Sequence, residues 1–525
     1  MLRALSHHPG ARRPAALFAL FGGALTLRLT AVRQAYDIHV DECYYVAISQ
    51  SLADDGEPAF EGGYFALHPP ALFALLAGVL RATHGPPDLA DAVLALRPVI
   101  AVIGALSVTA LTALLLRTVR PSVAWATGLL LALDPFLNRF DSRVFLETPT
   151  MAAAALGMLV LTRAAGRPGG ARGAGCAAGL LFAVSLTTKD WYVLATLLPV
   201  VVLAVLSRGA VRRTYLTAAA VAAGGYGGYL AATIATGHWA DWRSQRFHGL
   251  RRAAGLDRLT GFGSPDNTAV LSGRLHARLG DLGVSYALLA LGACATCWLV
   301  WQRLNRPRLF TRRPGRTVVT VWAACSLPTP LYAALLGTVE EQMFYPALLV
   351  CALALAVTAD LLLPARPRRH PGSRTRPRHR RTVCLGAVCA LTTAALCADT
   401  VVWSRTHGRH DDALRRTISW IDARVGQDET VRATDDTLAV LLPEARPPDW
   451  DNGRTHYKSP RLPDTDYVLV TRELVRQGYA FIDPALRTEL RRRARLVHTE
   501  TGPTAGAVEV YDTRRLAGRT VQQVR

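Results

Sequence analysis

RPVIAVIGALSVTALTALLL (97–116), RTVR (117–120), PSVAWATGLLLALDPFL (121–137): two apolar runs of 20 and 17 residues, divided by four residues with two arginines and no acid. A run of about 20 apolar residues suits one helical crossing of a bilayer. Working outward, the same alternation recurs at 15–33, 149–162, 174–188, 191–206, 214–236, 283–301, 317–336, 344–363 and 383–402, giving eleven expected spans. The composition agrees: of 525 residues 50% are hydrophobic and only 19% charged, with a mean hydropathy of +0.19. A soluble chain of this length would carry charge on about a quarter of its residues. Disordered, collagenous and disulfide-stapled classes are excluded by the same figures.

The net charge of +21 invites a nucleic-acid reading, but the position of the charge removes it. Six connectors (1–14, 117–120, 163–173, 207–213, 302–316 and 364–382) hold 25 arginines and no Asp or Glu, leaving 35 basic against 39 acidic residues elsewhere. Short arginine-rich loops mark the cytoplasmic side. The expected topology therefore has the N-terminus inside and the segment 403–525 outside. The pieces 174–188 and 191–206 are short, yet joining them into one crossing would invert every later loop, so two helices meeting near Lys189 are expected. The 14-residue piece 69–82 is expected to lie at the membrane surface. Loop 237–282 fits less well, being external with seven arginines against four acids. The basic N-terminus resembles a signal peptide without a convincing cleavage site, which favours an uncleaved first helix. Cys294 and Cys297 form a CxxC with no second pair, and the tail has no cysteine, so no external disulfide framework exists.

The expected fold class is thus an all-α polytopic membrane protein with surface helices in its first external loop (34–96) and a small external α/β domain. The division falls at 1–402 and 403–525. In the tail, ALRRTISWIDARV (413–425) has helical spacing with Ile418, Ile421 and Val425 on one face. TVRAT, DYVLVT and AVEVYDT read as strands and DPALRTELRRRA as a helix.

Candidate chemistry collects on the external side. Residues 34–68 contain seven acids and no Lys or Arg, with Asp41 and Glu42 opening an amphipathic stretch. The pair reads either as solvated acids near a helix N-terminus or as a carboxylate held at the membrane surface. Glu147 sits where an external turn re-enters the membrane, and Arg143, four residues earlier, would share a helical face with it. Lys189 is one of only two lysines in an arginine-rich chain. A compact ammonium there would snorkel to the surface or bind phosphate as a point charge. Arg97 and Arg28 add positive charge near the same surface, and GTVEEQMFYP (337–346) brings Glu340, Glu341 and Gln342 to an external turn.

The ordered motifs Asp41-Glu42, His68-Pro69-Pro70, LRPVIAVIGALSV (96–108), LDPFLNRFDSRVFLE (133–147) and SLTTKDW (185–191) resemble the GT-C glycosyltransferases of the protein O-mannosyltransferase type. That group includes bacterial relatives and the aminoarabinose transferases that modify lipid A. Residues 237–525 match it only in layout. The resemblance implies that Asp41 is the catalytic base and that Glu147 stands where relatives usually carry Asp. Lys189 matches the lysine before an aromatic, here with Asp190 between it and Trp191, and HPP suits the mannosyltransferase branch. It also implies inverting transfer of a hexose such as mannose from a polyprenyl-phosphate to an external acceptor hydroxyl on a protein, glycan, lipid or metabolite.

Asp41 and Glu147 are then the catalytic candidates. Glu42, His68, Arg97, Arg143, Lys189, Glu341 and Gln342 are the substrate-binding ones. A phosphate leaving group calls for cations rather than a general acid. No cofactor and no metal are expected, since no His/Asp cluster has ligand spacing, and no nucleic acid is a partner. The arginine bias suggests a high-GC bacterial genome, hence a plasma-membrane location and a decaprenyl or undecaprenyl donor. The rival reading is a secondary transporter, which predicts paired halves with broken helices at mid-membrane; the sequence shows no such symmetry.

Overall fold

The computed structural model describes residues 9–165, 171–256, 281–311, 313–336, 340–363, 378–426, 428–442, 465–477 and 484–514. Helices lie over each of the eleven apolar runs. Among the described residues five are long and apolar enough to cross a membrane unaided: Leu89–Thr118, Gly209–Ala235, Ser285–Asn305, Glu341–Leu362 and Gly386–His407. Prolines set several boundaries. Pro121, Pro135 and Pro314 each open a helix, where a missing N–H costs nothing and φ is already helical. The run 317–336 is divided between Pro314–Ser326 and Pro328–Leu336.

Two ends of the bundle differ in chemistry. At one, Arg120, Arg313 and Arg316 converge on the buried carboxylate of Asp360, and Arg120 also donates to Leu363 O at 2.8 Å. Two connectors, 117–120 and 302–316, are thereby stapled to the end of helix Tyr345–Leu362. Gly315 packs there against Thr118 and Thr162, in a space where a Cβ would collide with Thr118 Oγ1. The run 364–377 and the loop 257–280 lie outside the described residues.

At the other end lies the first loop, which carries a short antiparallel hairpin, β1 (Ala59–Phe60) with β2 (Gly63–Tyr64). Val40–Asp54 is a helix because His39 and Glu42 cap it reciprocally: His39 Nδ1 accepts from Asp41 N, and His39 N donates to Glu42 Oε2. Ala71–Thr83 packs on it through Leu72, Phe73, Leu76 and Leu80, so the apolar piece 69–82 is helical. Helix Ala171–Thr188 stops at Lys189, whose extended backbone starts a one-turn break (Asp190–Tyr192) before Val193–Leu206. The two short helices meet at Lys189, as the distribution of loop charge predicts.

In the tail, β3 (Val431–Ala433) pairs parallel with β4 (Tyr467–Thr471). β4 and β5 (Arg495–Gly502) both run antiparallel to β6 (Gly506–Asp512), in the order β3-β4-β6-β5. The expected helices Ala413–Arg424 and Pro484–Arg493 are present. β5 was not foreseen, because RLVHTETG alternates poorly and is half exposed as the sheet's edge. The tail is seated on the first loop through its helices. Asp411 N donates to Gln34 O at 2.8 Å, Leu414 N donates to Asp37 Oδ2 at 2.8 Å, and Val440 joins the apolar cluster of Ile38, Cys43 and Val46.

Candidate active site

Asp41 is the second residue of its helix, where the free N–H groups favour negative charge. Among the described residues its carboxylate takes part in no hydrogen bond or ion pair. Burial pushes its pKa up to about 7, and Glu340 and Glu147 add to the rise against Lys189 and Arg252. The neighbouring charges explain why the cations do not win. Lys189 Nζ is spent on Glu147 Oε1, and Arg252 pairs with Glu340 at 2.6 Å. Asp41 thus faces two ion pairs that cancel, and its own charge stays uncompensated.

Glu42 is its opposite. Arg97 Nε donates to Oε1 at 2.9 Å and Nη2 to Oε2 at 2.8 Å, both side chains being fully buried. Val144 N and His39 N donate to the same carboxylate. Burial alone would raise its pKa, but the Arg97 guanidinium holds it below the usual range. Arg97 spends its remaining N–H groups on Val32 O, Tyr36 O and Asp37 O. The expected substrate contacts by Glu42 and Arg97 therefore have no free atoms to make them. The pair ties the first loop to helix Leu89–Thr118 and to the turn after Arg143.

Arg143 and Glu147 do not pair. Residues 142–146 form a turn rather than the helix that would align them, and the helix begins only at Glu147. Glu147 Oε1 also accepts from Tyr192 OH at 3.2 Å, while its buried Oε2 has no partner among the described residues. Arg143 lies over the Tyr36 ring at 5.1 Å and donates through Nη2 to Thr504 Oγ1 at 2.9 Å, its Nε buried and unpartnered. Burial, with the nearby Arg139, pulls its pKa down to about 10. Of the buried cations Arg28, Arg97, Arg143 and Lys189, only Arg143 lacks a carboxylate among the described residues.

The remaining candidates ring the same space. His68 is near Lys189, Arg246 and Arg252; burial first and then these cations push its pKa well down, and its Nδ1 is buried without a partner. Glu341 pairs with Arg139 at 2.9 Å. Gln342 donates to Glu340 Oε2 at 2.6 Å, and its carbonyl accepts from Tyr192 OH. Among the described residues no three His, Cys, Asp or Glu side chains gather as metal ligands.

ArnT from Cupriavidus metallidurans in the apo state superposes on the chain with a TM-score of 0.56 at 14% identity, over 97% of this chain and 99% of that one. ArnT bound to undecaprenyl phosphate gives 0.54 at 13%, over 95% and 97%. The archaeal oligosaccharyltransferase AglB from Archaeoglobus fulgidus, in complex with an inhibitory peptide and a dolichol-phosphate, gives 0.53 at 12%, over 94% of this chain and 74% of that one. The fold is the GT-C fold. No protein-family model matches the sequence, and no curated protein does.

Within this GT-C fold several site residues escaped the sequence. Arg139, Tyr192, Arg246, Arg252 and Thr504 come from four separate segments, and only the fold brings them to their partners Glu341, Glu147, Asp190, Glu340 and Arg143. One signal was available: the surplus arginines of loop 237–282 are partly spent here, Arg246 on Asp190 at 2.6 Å and Arg252 on Glu340.

Proposed function

We propose that the chain is an integral-membrane glycosyltransferase that moves a sugar from a polyprenyl-phosphate donor to an external acceptor hydroxyl, with inversion at the anomeric carbon. The observation that carries this reading is Asp41: a carboxylate at a helix N-terminus without a partner among the described residues, its pKa raised to about 7. A base must be free to reach the acceptor proton and must be basic enough to take it near neutral pH. Asp41 accepts that proton as the hydroxyl attacks, and the departing phosphate takes the bonding electrons. Arg143, which makes no ion pair among the described residues, is the buried cation left available for that anion, and Glu147 and Lys189 form a fixed pair beside Asp41.

The polyprenyl-phosphate donor is supported by the fold and by the neighbours' bound undecaprenyl phosphate and dolichol-phosphate. Mannose, a bacterial plasma membrane and an outward-facing site belong to the same proposal, on the motifs and the connector charges. A transporter has no comparable support, since the likeness to GT-C structures runs over nearly the whole chain. The test is purified protein in vesicles with radiolabelled polyprenyl-phosphate hexoses and pentoses, scored for label moved to acceptor or to water. Retention of every label on its lipid, with label instead crossing the membrane, would replace the transferase by the transporter. Chelator is expected to leave the rate unchanged, and a rate that falls with chelator and returns with a divalent ion would place a metal in the reaction.

A further inference from the structure

The helix Trp239–Ala253 starts four residues after Gly209–Ala235 ends, the latter being long and apolar enough to cross a membrane. At about 100° per residue its side chains sort into three arcs rather than two. One arc, Trp242, Gln245, Arg246, Gly249 and Arg252, is turned inward. Gln245 accepts from Ala66 N at 2.8 Å and donates to Tyr64 O at 2.7 Å, and Arg246 and Arg252 make the ion pairs described above. At Gly249 a Cβ would meet Leu67 and Trp191 within 3.2 Å. A second arc is polar and exposed, comprising Asp241, Ser244, His248 and Arg251. The third is apolar yet exposed: Trp239 at 39%, Phe247 at 62% and Leu250 at 57%, with exposed Arg243 among them.

Three arcs are what a helix needs where protein, water and lipid meet. We infer that the Trp239, Arg243, Phe247 and Leu250 face is a docking surface for the headgroup layer of an anionic bilayer. The rings and Leu250 enter the acyl boundary while the Arg243 guanidinium reaches lipid phosphate. Position and charge both favour lipid over a protein partner. The helix is tethered within a few residues of a candidate span, and a bare apolar stripe holding a cation suits an anionic interface. The consequence is a fixed depth for the candidate site: the same rigid helix touches lipid on one side and, through Arg252 and Glu340, the surroundings of Asp41 on the other.

The experiment places a photoactivatable benzophenone amino acid singly at Phe247, Leu250 or Ser244 of the full chain, in vesicles of phosphatidylglycerol and phosphatidylethanolamine. Intact mass then reports the adducts. Lipid adducts are expected at 247 and 250 and not at 244. In an Arg243→Gln background, the excess of phosphatidylglycerol over phosphatidylethanolamine at 247 should fall about fivefold, the worth of one basic residue near an anionic surface. Equal lipid yields at 244 and 247, adducts at 247 to a second copy of the chain, or an unchanged lipid ratio in Arg243→Gln would each overturn the inference. None of these readouts needs transferase activity, so they stand or fall apart from the proposed reaction.

Discussion

At the scale of single residues, the contrast between Asp41 and Glu42 is the most informative feature. Two adjacent acids have opposite environments because one lies against ion pairs already closed and the other fills an arginine fork. Asp41→Asn is predicted to cut transfer by about 10²–10⁴-fold while donor binding survives, because Asn cannot take the proton. With a pKa of about 7, the wild-type rate should fall with acid below pH 7. Glu340→Gln removes a charge that raises that pKa and should move the acidic limb to lower pH; an upward move, or none, excludes Asp41 as the titrating base. The cations separate similarly. Arg143→Gln deprives no carboxylate and should weaken binding of a polyprenyl-phosphate by about 10- to 100-fold in a folded protein. Lys189→Met strands Glu147 and should destabilise by about 3–5 kcal/mol, with most of the loss restored by adding Glu147→Gln. Thermal unfolding and lipid-phosphate titration of the same variants decide between the two. Asp41 was legible from its place after the first span; that Arg97 and Lys189 were spent on partners was not, since the partners stand 55 and 42 residues away.

At the scale of elements, the tail's contact with the first loop carries a pH dependence. Asp37 is fully buried; burial and then Asp411 push its pKa up to about 7 from 3.8, against the two backbone amides and Arg415 that favour its charge. The folded state therefore holds this proton more tightly than the unfolded state. Its stabilisation is complete below about pH 3.8 and lost as pH rises through 7. Docking of the 413–424 helix should loosen between pH 5 and 8, and Asp37→Asn should abolish that difference. Protease sensitivity of the tail at the two pH values measures it, and equal sensitivity in the wild type would refute it. Helices were the most legible elements, because their apolar periodicity and prolines are local signals. The exposed edge strand β5 was not, since its place is set by pairing with β6.

At the scale of the whole molecule, two of the connectors used for the expected topology, 117–120 and 302–316, meet at one end of the bundle around Asp360, with the candidate site at the other. The prediction is that an impermeant thiol reagent applied to intact cells modifies Arg424→Cys and leaves Asn305→Cys untouched. Both positions are exposed. The reverse pattern would turn the protein over and put Asp41 in the cytoplasm. The layout was legible because charge asymmetry is written in short segments. The docking of the tail onto Asp37 and Arg143 was not, because neither partner carries a mark of the other.

Arg28 Nε and Nη2 both donate to the buried Asp141 Oδ2, at 2.8 and 2.6 Å, and this ion pair has a consequence for biogenesis. Its two halves are 113 residues apart, so Arg28 leaves the ribosome about 6–20 s before its counter-charge exists. During that interval the first helix must tolerate a naked guanidinium close to hydrocarbon, a penalty that approaches 2.5–3.5 kcal/mol only at mid-depth. Arg28 stands one residue from the helix's end, which lets it wait in the headgroups and be drawn down later. An Asp141→Asn chain should therefore lose yield at assembly: in a pulse-chase experiment the newly made chains should be degraded within minutes while survivors turn over as wild type does. Wild-type yields from Asp141→Asn would mean that the translocation machinery shelters Arg28 without help from its partner.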